Sequence, residues 1–168
     1  MSKDVELTGE SKVWIFVADR QLSESESGSI GAELSQFADN WLSHGKLLKS
    51  SAELLYNRFL FFAADEEGER MCGRAIDAIV RFVKELEARY SVSLLDRNQM
   101  AYVNHTGKVQ NCKLTELNGL LEKGEITSET KVFNNMVSNK NQFEKEWLVP
   151  LSESWQLRYA SAVMPQLR

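Results

Sequence analysis

Two short runs of apolar residues predict buried strands in the first half of this chain. Residues 13–18 read VWIFVA and residues 59–64 read FLFFAA, and both runs are rich in β-branched and aromatic side chains. Between them, residues 46–58 carry leucines on both sides of a polar stretch. We expect residues 46–65 to form two antiparallel strands, of which the second is fully buried. A helix over residues 51–57 is the alternative, because alanine, glutamate and leucine favour helix.

Two stripes of apolar residues at helical spacing accompany these runs. The first stripe follows a capping box, Ser23 with Glu26 three residues later, and we expect Gly45 to end this helix. The second stripe covers residues 74–90. Its apolar face consists of Ile76, Ile79, Val80, Val83, Leu86 and Tyr90. The order β-α-β-β-α over residues 11–98 predicts an α+β core domain rather than a doubly wound sheet.

The last third of the chain, residues 99–168, predicts a smaller α+β module packed on or beside the core. A strand at residues 100–103 leads through a polar turn into a leucine-rich helix that ends at Gly124. A second strand is expected at residues 131–133. Ser138-Asn139 then suits the cap of a further helical turn, and a packed segment completes the module.

Composition and charge narrow the classes of function. The chain has 168 residues, of which 43% are hydrophobic and 26% charged, as in an ordinary globular protein. Its net charge of −4 is the opposite of what phosphate binding requires, so we expect no nucleic-acid partner. No apolar run approaches the ~20 residues of a membrane span. Two cysteines without CxxC spacing fit a reducing compartment, and we expect a cytoplasmic protein without a membrane partner.

Acidic residues directly after the second apolar run are the main candidates for chemistry. Asp65 and Glu66 end the predicted strand, and Asp77 lies near the start of the following helix. If the intervening loop folds back, these three carboxylates would converge on Mg²⁺ or Mn²⁺, which would activate a water or orient a phosphate. The simpler interpretation is that Asp65 and Glu66 stabilise the positive end of the helix.

A cysteine at the start of the same helix is a second candidate. Cys72 precedes the helix N-terminus, where a thiol pKa is lowered, but a nucleophilic cysteine also needs a base. The candidate bases, His44 and His105, are both distant in sequence. A small packed residue is the simpler interpretation. Two histidines are also too few for a conventional multi-histidine zinc site.

Large aromatic residues are concentrated in the last third. Tyr102, Phe133, Phe143, Trp147 and Trp155 are suited either to line a groove for a peptide or to form the core of a small module. Our first hypothesis is a non-catalytic protein that binds a protein or peptide through this part and needs no cofactor. The same surface would also serve a homodimer. The alternative is a metal-dependent hydrolase or phosphate-handling enzyme that uses the acidic site with Mg²⁺ or Mn²⁺.

Several short motifs carry a resemblance to a known family. They are Val13-Trp14-Ile15-Phe16, His44-Gly45-Lys46, Tyr56-Asn57-Arg58-Phe59, Asp65-Glu66, Ile76-Asp77 and Asp96-Arg97. In these features the chain resembles a family of short uncharacterised bacterial proteins that are often labelled "ABC transporter ATPase". A P-loop is absent, because positions 40 and 47 hold Asn40 and Leu47 instead of glycine and a hydroxyl residue. The family's cysteine position is Arg74 here, and the resemblance implies no activity.

A second resemblance covers residues 107–147. A glycine turn, a leucine helix, Gly124-Glu125-Ile126, Thr130-Lys131-Val132-Phe133 and a late Trp147 before Pro150 follow one another. This succession is similar to the second type of GYF domain, although the GYF tripeptide itself is absent. The resemblance implies a peptide-binding role for this part of the chain.

Overall fold

Residues 6–66 and 68–160 are described by the structure, which is a computed structural model. The helices and strands, in chain order, are β1 (Lys12–Val17), α1 (Glu24–Asp39), β2 (Leu42–Ser43), β3 (Lys46–Leu47), β4 (Lys49–Leu55), β5 (Phe59–Asp65), α2 (Gly73–Tyr90), β6 (Gln99–Val103), β7 (Val109–Lys113), α3 (Leu117–Glu122), β8 (Lys131–Phe133), α4 (Lys140–Glu146) and β9 (Leu148–Pro150). Helices and antiparallel sheets are mixed, which confirms the predicted α+β class. No helix within the described ranges is long and apolar enough to cross a membrane.

The first sheet has the strand order β1-β5-β4 and is antiparallel throughout. β4 and β5 confirm the predicted antiparallel pair, except that residues 46 and 47 form the separate short strand β3, and the helical alternative is wrong. Tyr56 and Asn57 are the central residues of the turn between β4 and β5, with φ values of 53° and 52°. Positive φ at both central residues suits a tight hairpin, because the twist of such a turn matches that of the strands.

Strand β5 is buried on both of its faces, which explains its continuous apolar sequence. Alternate side chains of a strand point to opposite faces of the sheet. One face packs in a cluster with the two long helices, and the other packs in a cluster with the second sheet. The residues on the helix side are Leu60, Phe62 and Ala64, and those on the other side are Phe59, Phe61 and Ala63. The strand therefore forms the centre of a layered structure.

The first helix is shorter than its apolar stripe predicts. Its capping box is present, but α1 ends at Asp39 rather than at Gly45. Asn40 caps it by donating a side-chain N–H to the carbonyl oxygen of Gln36 at 2.9 Å. His44 and Gly45 form the turn of the β2–β3 hairpin instead, with φ values of 52° and 75°. The glycine therefore serves a type I′ turn and not a helix end.

The second helix has the predicted length but a narrower buried face. The side chains that it buries against the first sheet and α1 are Ala75, Ile79, Val83 and Leu86. Ile76 and Val80, which were predicted on this face, are 40% and 36% exposed. Each follows a buried residue by one position, about 100° around the helix, and so lies at the margin of the stripe.

The second sheet has the order β7-β6-β8-β9. β6, the turn after it and β8 lie where the sequence predicts them, and Asn139 caps α4 by accepting from the backbone N–H of Gln142 at 2.8 Å. β7 and β9 were not predicted. β7 is an edge strand in which only Cys112 is buried, so it carries no apolar run that periodicity could detect.

An aromatic cluster joins the two sheets. Phe59 from the first sheet lies with its ring centre 4.7 Å from that of Phe133 and 5.1 Å from that of Trp147. The rings of Phe133 and Trp147 are 4.9 Å apart. Because these residues come from both predicted units, the core and the C-terminal module share one apolar cluster.

Candidate functional site

The aromatic residues predicted to bind a peptide lie mainly inside the protein. Tyr102, Phe133 and Trp147 are buried, and Trp155 is half-buried against Tyr159. The face of the first sheet away from the helices needs an apolar cover, and Phe133 and Trp147 supply it. Tyr102 lies in the separate cluster that α3 closes. Within the part of the chain that the structure describes, these side chains therefore line no exposed groove.

The three candidate carboxylates are not assembled into a metal site. Asp65 ends β5 opposite Lys49 of β4, Glu66 follows it, and Asp77 is exposed on α2. Within residues 6–66 and 68–160, no group of three or more His, Cys, Asp or Glu side chains is placed to hold a metal ion. The structure therefore does not bring Asp65, Glu66 and Asp77 together as a set of metal ligands.

Cys72 and His44, which are distant in sequence, are neighbours in the structure. The β2–β3 hairpin lies against the start of α2, and the backbone N–H of Cys72 donates to the hydroxyl of Ser43 at 3.0 Å. The ring Nε2 of His44 lies 2.8 Å from the carbonyl oxygen of Arg70. Hydrogen bonds from the backbone N–H of His44 and from the Ser43 hydroxyl lower the pKa of the Cys72 thiol to about 7. This proximity has no signal in the sequence, because the apolar spacing of α1 continues into the residues that form the hairpin.

We expect Cys72 to be the fast-reacting thiol of the folded protein. Its rate of alkylation by iodoacetamide should follow a titration with a midpoint near 7, because the thiolate is the nucleophile. Cys112 should react slowly, since burial raises the pKa of its thiol to about 12. Mass spectrometry of each cysteine peptide across a pH series measures both rates. Ser43→Ala should move the Cys72 midpoint upward, and equal rates at the two cysteines would contradict the prediction.

A pocket of 830 Å³ opens where three separate segments meet, and we call it the junction pocket. Residues 19–21 after β1, Tyr56 and Arg58 of the β4–β5 connection, and residues 107–111 at the β6–β7 hairpin line it. Two of these segments belong to the first sheet and its connections, and the third belongs to the second sheet. Neither predicted unit contains this site by itself.

Arg58 is the buried charge of the junction pocket. The residue is 6% exposed, and its guanidinium donates to the side-chain oxygen of Asn111 and, at 3.0 Å, to the carbonyl oxygen of Val109. Asn111 in turn donates to the carbonyl oxygen of Ala18 at 2.7 Å. The Nε atom of Arg58 is buried without a hydrogen-bond partner. Among the described residues no carboxylate forms an ion pair with this guanidinium, and burial lowers its pKa.

Tyr56 forms the rim of the junction pocket. Its side chain is 56% exposed, yet its ring lies 5.5 Å from that of Phe133 and 5.9 Å from that of Trp147. A bulky residue at positive φ is strained, and such positions are concentrated at ligand clamps and active sites. The sequence predicted a turn at Asn57-Arg58, between the two strands, and gave no signal for an exposed ring at Tyr56.

No protein-family model, curated protein or solved structure matches this chain.

Proposed function

We propose that this protein is a non-catalytic cytoplasmic protein that binds a segment of a partner protein or peptide across the junction pocket. The observation that carries the proposal is Tyr56, an exposed aromatic ring held by two buried aromatic rings at the edge of an 830 Å³ pocket. Tyrosine and tryptophan are enriched among the side chains that supply most of the binding energy at interfaces.

The packing under Tyr56 favours binding because it holds the ring in place before a partner arrives. Phe133 and Trp147 pack against the ring, and the turn conformation fixes its backbone. A side chain that is already ordered loses little entropy when it enters an interface. The buried aromatic residues of the C-terminal module thus support the binding surface instead of forming it.

Further apolar surface around Trp147 favours a macromolecular partner. Leu148 lies opposite Phe133 in the β8–β9 ladder and is 39% exposed. Met136 is 72% exposed and follows Asn135, whose side-chain oxygen accepts from the indole N–H of Trp147 at 2.9 Å. Exposed apolar groups that lie close to one another are typical of protein-binding sites, whereas isolated ones are not informative.

The expected role agrees with the peptide-binding function that the GYF-like resemblance implies, and the two free cysteines fit the reducing compartment in which we place the protein. The metal-dependent hydrolase has no comparable support. Its three carboxylates do not form a ligand set among the described residues.

Selection of random peptides against the full chain tests this proposal. We expect selected peptides to lose affinity about 30-fold on Tyr56→Asn, the loss typical of an interface anchor worth about 2 kcal/mol. Asparagine is chosen because it tolerates positive φ, so the turn is retained. Tyr159→Asn, which changes an exposed tyrosine elsewhere, is the matched control and should leave affinity unchanged.

Two results would contradict the proposal. One is that no peptide binds, or that the selected peptides bind Tyr56→Asn as tightly as the original chain. The other is a concentration-dependent dimer in sedimentation experiments that Tyr56→Asn abolishes, because the surface would then belong to a second copy of the chain.

A further inference from the structure

We propose that Arg58 is an anion-binding residue of the junction pocket and that the partner segment presents a single carboxylate to it. This inference rests on the proposed function, since it names the chemistry that the bound segment must carry. It adds a buried charged group of the pocket lining to the apolar contact at Tyr56.

The hydrogen bonds of Arg58 leave part of its donor capacity unused. A guanidinium has five N–H donors. The structure uses one on Nη1 and one on Nη2, both toward neutral oxygen atoms, and none on Nε. A buried cation without an opposite charge costs free energy, and a carboxylate that accepts from two guanidinium N–H groups relieves much of that cost.

The neutral partners also fix the guanidinium in space. Asn111 and Val109 are on β7, and the backbone of Arg58 accepts from the backbone N–H of Ala18 at 2.8 Å. The cation is therefore held between two sheets before any ligand arrives. If Arg58 served only to hold the two sheets together, a neutral donor would suffice, because both acceptors are neutral.

The charges around the pocket select a monoanion. Four charged residues line it: Asp19, Arg20, Arg58 and Lys108. Arg20 is neutralised by Glu26, whose carboxylate accepts two hydrogen bonds from it at 2.8 and 2.9 Å. The remaining cations are Arg58 and Lys108, and counting the carboxylate of Asp19 brings the net charge of the lining to +1. One positive charge is left, which matches one carboxylate, whereas a phosphate group carries about −1.5 to −2 at neutral pH.

Acetate is the simplest probe of this site. In a ¹H–¹⁵N NMR titration of the full chain at constant ionic strength, we expect acetate to shift the amide signals of Val109 and Asn111 and the Nε–H signal of Arg58. Chloride should produce no such shifts, and inorganic phosphate should produce weaker ones. Shifts with phosphate at lower concentration than with acetate would overturn the carboxylate assignment.

Asn111→Asp is the decisive variant, because it places a carboxylate of the protein itself against the guanidinium. It should weaken acetate binding at least about tenfold while retaining an acceptor for Arg58. Arg81→Met, which removes an exposed arginine of α2, is the charge-matched control and should leave the titration unchanged. Absence of saturable shifts in the original chain, or equal shifts in Asn111→Asp, would overturn the inference.

Two short peptides distinguish the sources of the carboxylate. The blocked peptide acetyl-Ala-Glu-Ala-amide offers only a side-chain carboxylate, and acetyl-Ala-Ala-Ala offers only a terminal one. Binding of either that is lost in Asn111→Asp supports the inference and identifies the source. If selected peptides depend on Tyr56 but no carboxylate binds, only this inference fails. If acetate binds but no Tyr56-dependent peptide exists, the proposed function fails and the anion site stands.

Discussion

Replacement of Phe59 by alanine is expected to lower the free energy of unfolding by about 3–5 kcal/mol. Phe59 is fully buried, and its ring contacts Phe133 and Trp147 at the centre of the cluster that joins the two sheets. Truncation removes apolar contacts and leaves a cavity that rigid strands on both sides cannot close. The loss should therefore fall at the upper end of the range for single substitutions.

Urea unfolding followed by tryptophan fluorescence measures this effect. Trp14 and Trp41 report on the first cluster, whereas Trp147 and Trp155 report on the second sheet. Because Phe59 packs against Phe133 and Trp147, we expect the original chain to unfold in one cooperative transition. In Phe59→Ala, the urea midpoint of this transition should fall while its slope is unchanged. Phe59→Leu should lower the free energy of unfolding by less than Phe59→Ala does.

Leu47→Ala is the control for this prediction, since Leu47 is a large apolar residue that is 57% exposed. Its substitution should change stability by no more than about 0.5 kcal/mol. Two separate transitions in the original chain, or a change at Phe59→Ala as small as that of the control, would show that the aromatic cluster does not couple the sheets.

Asn111→Leu is expected to lower the free energy of unfolding by about 2–4 kcal/mol, because each buried polar group left without a partner costs about 1–3 kcal/mol. The asparagine side chain accepts from Arg58 and donates to the carbonyl oxygen of Ala18 at 2.7 Å. Leucine has a similar size but can do neither. The guanidinium and the carbonyl group would both lose a partner at the junction of the sheets.

The same unfolding measurement, extended to a pair of variants, tests this explanation. Asn111→Asp keeps the acceptor for Arg58 and loses only the donor to Ala18, so it should be destabilised less than Asn111→Leu. Lys113→Leu changes an exposed residue of β7 and serves as the control for the strand. Equal losses for Asn111→Leu and Lys113→Leu would contradict a specific role for the hydrogen bonds.

Local sequence patterns predicted most of the long elements because each pattern has a local cause. The FLFFAA run predicted a doubly covered strand, and β5 is buried on both faces. Ser23 and Glu26 predicted a helix start, since both groups of the capping box lie within one turn. In contrast, the end of α1 was placed too late, because the apolar Trp41 and Leu42 continue the helical spacing although they lie in an extended segment.

Elements with few buried side chains were beyond sequence reasoning. β7 contains one buried residue, so its sequence shows no alternation of apolar and polar positions. Its extended conformation comes from backbone pairing with β6. The two-residue strands β2 and β3 are likewise too short for any periodicity. For such segments, backbone pairing supplied by the rest of the fold decides the conformation.

The sequence by itself determined an α+β protein with a buried central strand and two long amphipathic helices, because these features depend on the spacing of neighbouring side chains. Only the tertiary structure decided which side chains are at the surface and which meet. It buried Phe133 and Trp147, exposed Tyr56, and placed Arg58 beside Asn111, 53 positions later in the chain. The junction pocket has no local sequence signal, because its three segments meet only when the two sheets pack against one shared aromatic cluster.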